Sequence, residues 1–119
     1  MIRNPENLSI VVEADQMNVS SDTATSLGLI ITELVINSLK HAFPKNKGRI
    51  VVSFSVEGDR WVLAVRDDGI GMTKDPKKMK VGLGTSLVQA LSQKLNADIV
   101  IADSSPGTIV SITHHASDT

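Results

Sequence analysis

Glu33, Asn37, Lys40 and His41 recur at spacings of three and four residues, the spacing that stacks side chains on one side of a helix. With Glu33 as origin and about 100° per residue, Asn37 falls at about 40°, Lys40 at about −20° and His41 at about 80°. An acid, an amide and two bases thus share an arc of about 100° over two turns. Their chemistry suits a polar ligand, because an amide oxygen can meet a metal ion and cations can meet phosphate. A solvated stripe would show the same pattern. What sharpens the contrast is the rest of the segment, where Leu27, Ile31, Leu34, Val35, Ile36 and Leu39 crowd the other directions. A helix so apolar is expected to be buried, and its hydrophilic seam then needs partners.

A second group lies at Asp67-Asp68-Gly69-Ile70-Gly71. Trp61, Leu63 and Val65 share a parity that Asp67 continues, which would stand an acceptor-only carboxylate at the end of a hydrophobic stripe. Such a group needs donors, and an exocyclic amine is a suitable one. Gly69 and Gly71 would let the chain turn sharply and approach a ligand closely. A plain strand-ending Asp-Gly turn would also fit. Third, Gly82-Leu83-Gly84-Thr85-Ser86 opens a helix, where free backbone N–H groups can bind an anion or simply be capped. It is neither a Walker loop nor the dinucleotide fingerprint. Lys74, Lys77, Lys78 and Lys80 lie between the glycine clusters, either as a solvated loop or as a phosphate-assisting lid. His114 and His115 have no carboxylate or histidine at metal-ligand spacing.

The elements that would carry these groups can be read from pattern. Leu8 to Glu13 reads as a strand, and Ser20-Ser21-Asp22 offers capping oxygens to a helix running from Asp22 to Ala42. Arg49 to Glu57 and Arg60 to Asp67 form a hairpin around Gly58-Asp59, Thr85 to Leu95 a second helix, and Asp98 to Ala102 and Thr108 to Thr113 a closing hairpin. This order implies an α+β fold: a two-layer α/β sandwich with a mixed, mostly antiparallel sheet and helices on one face. At 119 residues the chain is expected to form one domain, burying roughly two-thirds of its surface.

Composition narrows the function classes. There are no cysteines, so disulfides, thiolate metal sites and thiol nucleophiles are excluded. A net charge of −1 and only three aromatic residues (Phe43, Phe54, Trp61) argue against nucleic-acid binding by bulk charge or base stacking. No apolar run approaches the roughly 20 residues of a membrane span, and the N-terminus lacks a signal pattern. The expected location is cytoplasmic, without membrane contact.

Order and spacing together carry a resemblance. Glu33-Leu34-Val35-Ile36-Asn37-Ser38-Leu39-Lys40-His41-Ala42 resembles the N-box of the ATPase superfamily shared by gyrase, Hsp90, MutL and the sensor histidine kinases. Asp67 to Met72 is similar to its G1 box, Gly82 to Val88 to its G2 box, and Pro106-Gly107-Thr108 to its closing Gly-Thr motif. The G2 stretch reads GLGTSLV where GTGLGL is commoner, and no phenylalanine-bearing box lies between the glycine clusters. Within the superfamily the wording is most similar to the catalytic ATP-binding domain of a bacterial sensor histidine kinase of the HWE-related classes.

The resemblance implies the Bergerat α/β sandwich and the cofactors ATP and Mg²⁺. It implies that Asn37 holds Mg²⁺, that Asp67 accepts the adenine amine, and that Lys40 and His41 face the phosphates. Gly69, Gly71 and Met72 would shape the base pocket, Gly82, Leu83, Gly84 and Thr85 the phosphate loop, and Thr108 would back Asp67. Glu33 matches the acid that activates water in hydrolytic members, and with Asn37 it is the catalytic candidate. The implied activity is transfer of the γ-phosphoryl group to a histidine on a separate dimerisation domain of the same kinase, then to a response regulator. Residues 1–119 would be that single catalytic domain, without dimerisation or sensor domains. It would be unable to autophosphorylate alone and monomeric, since the family's dimer contacts lie in the absent helices. Two other readings stand beside it: an anti-sigma-factor serine kinase, and a nucleotide-sensing interaction module that transfers nothing.

Overall fold

The computed structural model describes residues 8–41, 48–69, 86–103 and 107–115. Its elements are β1 (Leu8–Ala14), α1 (Ser21–His41), β2 (Gly48–Glu57), β3 (Arg60–Asp67), α2 (Ser86–Lys94), β4 (Ala97–Asp103) and β5 (Thr108–His114). The five strands form one sheet in the order β1-β2-β3-β5-β4. β1 and β2, joined through α1, pair in parallel, and the three other pairings are antiparallel. The expected α+β sandwich with a mixed sheet is what forms.

Local chemistry explains each boundary. Ser20 caps α1, its Oγ accepting the Thr23 N–H at 3.1 Å. At the end of α2, Asn96 takes the left-handed conformation (φ 55°) and its N–H donates to the Gln93 carbonyl at 3.1 Å, stopping the helix at Lys94. Gly58 turns the β2–β3 hairpin at φ 61°. The helix and strand ends differ from the sequence reading by a residue or two, the usual scatter of fraying termini. Ala42 and Thr85 lie outside the described residues.

The core fills the space between the helices and one face of the sheet. Ile50 and Val52 of β2, Trp61, Leu63 and Val65 of β3, and Val110 and Ile112 of β5 meet Ile30 and Leu34 of α1 and Val88 of α2. Period-two alternation puts these strand residues on one side, as sheet geometry requires. One end of the β3 stripe is closed by aromatic packing. Trp61 stacks on His114 with ring centroids 5.2 Å apart, and Phe54 lies 5.6 Å from Trp61. The other end of the same stripe is Asp67.

One expectation is corrected here. Helix α1 is not enclosed on all its apolar sides: Leu29 is 45% exposed and Ile36 38%. A two-layer sandwich covers a helix only from the sheet side, so its outward half meets solvent whatever its composition. The inward side carries Ser26, Ile30, Leu34, Asn37 and Ser38. Asn37 therefore belongs to the buried face, while Lys40 is exposed. No helix among the described residues is long and apolar enough to cross a membrane.

Candidate nucleotide site

Asp67 ends β3 between Ile50 of β2 and Thr108 of β5. Its inward parity, set by the hydrophobic stripe before it, leaves it 4% exposed. A carboxylate so placed is stable only when donors replace its water. Three do. Oδ1 accepts the backbone N–H of Gly69 at 3.0 Å and that of Thr108 at 3.2 Å, and Oδ2 accepts the Ser38 hydroxyl at 3.3 Å. Backbone donors cost no side-chain ordering, so the acid is held by the fold itself.

The neighbouring acid is used differently. Asp68 is exposed, and its Oδ1 accepts the Arg49 N–H at 2.6 Å while its own N–H donates to the Arg49 carbonyl at 3.2 Å. It clasps the start of β2 to the end of β3. Of the two adjacent carboxylates, one secures the hairpin and the other is turned inward.

Gly107 makes this arrangement possible. It sits at φ 96°, and a Cβ there would overlap the Asp67 carbonyl group and the Asp68 Cα. Only glycine lets the chain pass this close before β5 begins, which brings the Thr108 N–H to the Asp67 carboxylate. The role expected of Thr108, backing Asp67, falls to its main chain.

Asn37 lies on α1 beside Ser38. It is 7% exposed, and its Nδ2 has no hydrogen-bond partner among the described residues. Leaving a buried amide donor unpaired costs roughly 1–3 kcal/mol. Glu33, one turn earlier, is half-buried. The structure thus unites Asp67, Gly69 and Thr108 directly, and places Asn37 next to the serine that touches Asp67. Gly71, Met72, Gly82, Leu83, Gly84, Thr85, the His41 side chain and the four lysines from 74 to 80 lie outside the described residues.

Two contributors escaped the sequence reading. Ser38 falls at about 140° from Glu33, outside the polar arc, so helical geometry alone gives it no place beside the others. Gly107 was visible as part of a Gly-Thr motif, but not as the residue whose missing Cβ admits the Asp67 peptide.

The described residues thus bring together a buried acid that accepts three hydrogen bonds at a strand end and, on helix α1, a buried amide nitrogen without a partner among them. Residues 22–118 match the family described as histidine kinase-, DNA gyrase B- and HSP90-like ATPases, and the chain belongs to it. It is an ATP-binding domain of histidine-kinase type. It is 33% identical over 108 residues to Blue-light-activated histidine kinase 2 of Erythrobacter litoralis, covering 88% of this chain and 31% of that protein. Against the solved structure of a blue-light-activated histidine kinase of Erythrobacter litoralis, the TM-score is 0.80 at 31% identity, covering 91% of this chain and 35% of the other. The anti-sigma F factor of Bacillus velezensis is 28% identical over 116 residues, covering 86% of this chain and 76% of that protein. The chain thus spans about a third of the length of each of these two kinases and about three-quarters of that anti-sigma factor.

Proposed function

We propose that this domain binds Mg-ATP and supplies the γ-phosphoryl group to a histidine on a separate dimerisation domain, for relay to a response-regulator aspartate. The observation that carries this reading is the buried Asp67, immobilised by Ser38, Gly69 and Thr108 beside the orphaned amide of Asn37. Greater identity to a kinase than to the anti-sigma factor supports the choice of acceptor.

In this reading Oδ2 of Asp67 takes the exocyclic amine of adenine, because Oδ1 already accepts two backbone donors. A base carrying a carbonyl at that position would set two acceptors face to face and be rejected. Asn37 fits the phosphate end: its amide offers an oxygen for Mg²⁺ and an N–H₂ still lacking an acceptor. When bound, Mg²⁺ supplies neutralisation of phosphate charge. The domain's own contribution is positioning, since it holds the base far from the reacting phosphorus and so orients the triphosphate for in-line attack. In the transfer, the bond from the γ-phosphorus to its bridging oxygen breaks and ADP leaves. A phosphorus–nitrogen bond forms to the acceptor imidazole, which loses its ring proton. Lys40, exposed at the end of α1, and His41 complete the phosphate end in this proposal. Glu33 is given no role as base.

Titration calorimetry with Mg-ATP tests the binding step. Asn37→Ala is expected to abolish the magnesium-dependent part of the affinity, and unchanged binding would remove Asn37 as the metal ligand. Single-turnover transfer to a supplied dimerisation domain tests the chemistry.

A second reading is favoured by one specific observation, the 28% identity over 116 residues to an anti-sigma F factor. Under it the acceptor is a serine on a partner protein. Phosphohistidine is lost in acid and phosphoserine survives, so acid treatment of the labelled product separates the two. A domain that binds ATP yet labels neither acceptor would be a nucleotide-sensing module.

A further inference from the structure

The Asp67 carboxylate is anchored unequally. Both backbone N–H groups converge on Oδ1, at 3.0 and 3.2 Å, which fixes one oxygen and leaves the orientation of the carboxylate plane about it to be set by what meets Oδ2. Among the described residues Oδ2 has one donor, the Ser38 hydroxyl at 3.3 Å. Ser38 is 5% exposed, sits 29 residues from Asp67 in sequence, and directly follows Asn37 on α1. We infer that Ser38 is a positioning residue, tying the helix that carries Asn37 to the acid on β3 and aiming Oδ2 at the ligand's base.

The inference rests on the nucleotide reading and deepens it. An ionised carboxylate only accepts, so the hydroxyl must donate, consuming one lone pair of Oδ2 and leaving the other for an incoming amine. Because Ser38 and Asn37 are consecutive, this one bond sets the base end of the site against the phosphate end. A distance of 3.3 Å is long for such a bond. The expected effect of losing it is therefore modest.

The experiment measures dissociation constants by calorimetry for Mg-ATP and for purine riboside triphosphate, which lacks the exocyclic amine. The whole chain is used as wild type, Ser38→Ala, Ser38→Cys and Ser38→Thr, with unfolding midpoints recorded for each. Ser38→Ala is expected to weaken ATP roughly 3- to 10-fold while leaving the amine-free analogue within about twofold of wild type. Ser38→Cys, close to serine in volume but a poor donor, should behave as Ser38→Ala does. Ser38→Thr, which keeps the hydroxyl, should restore ATP affinity. Equal loss for both nucleotides would make Ser38 merely structural and overturn the inference, as would ATP binding untouched in both the alanine and cysteine variants. Wild-type protein that binds neither compound would overturn the nucleotide reading itself, a result distinct from the other two.

Discussion

The two ends of the proposed nucleotide site solve the problem of buried polarity in opposite ways. At the base end, Asp67 is a charge at the tip of a hydrophobic stripe, and three donors meet it before any ligand arrives. At the end proposed for the phosphates, the Asn37 amide nitrogen is buried and has no partner among the described residues. The first is a preorganised acceptor made mostly from main chain, rigid and cheap to hold in readiness. The second is a buried donor without a partner among the described residues, a costly arrangement that a polar ligand would relieve. Orphan status is not sufficient by itself: Ser92 Oγ on α2 is also buried and without a partner among the described residues. What distinguishes Asn37 is its place beside the serine that holds Asp67.

The sharpest way to break this contrast is through the backbone that builds the base end. Gly107→Ala forces a Cβ into the Asp67 peptide at a φ of 96° and should destabilise the domain by about 3 kcal/mol or more, read from chemical denaturation. Asp67→Asn keeps the shape but presents a donor where an acceptor is needed. It should cost about 100-fold or more in ATP affinity with circular dichroism unchanged.

Asn37→Leu tests the other end by separating stability from function. Removing the unpaired amide should raise stability by about 1 kcal/mol while nucleotide binding is lost, and a destabilised variant would show that the amide is satisfied after all. The smallest effect is expected from Thr108→Val. The Asp67 contact comes from the Thr108 main-chain N–H, which valine retains, so ATP affinity should stay within about twofold.

Much of the fold was legible in sequence because its signals are local. Alternation along Trp61-Leu63-Val65-Asp67 placed the acid on the core face, and the buried positions of all four agree. The Ser20 cap and the Gly58 turn were readable for the same reason, each resting on contacts within a few residues. Less legible was the orientation of α1. The crowd of aliphatic residues suggested a helix buried on all its apolar sides, but Leu29 and Ile36 face outward. Periodicity reports which residues share a side, and the number of layers in the fold decides which side is covered.

The amino-acid order alone settled the identities and spacings that matter: an acid continuing an apolar stripe, an amide on a helix, glycines where the chain must turn. These follow from short-range geometry, because parity and helical angle need no knowledge of distant contacts. Tertiary structure decided the rest. It chose a parallel partner for β1, brought Gly107 against the Asp67 peptide, and joined Ser38 to an acid 29 residues away. Such pairings depend on which surfaces meet when the sheet assembles, and no local pattern encodes that meeting.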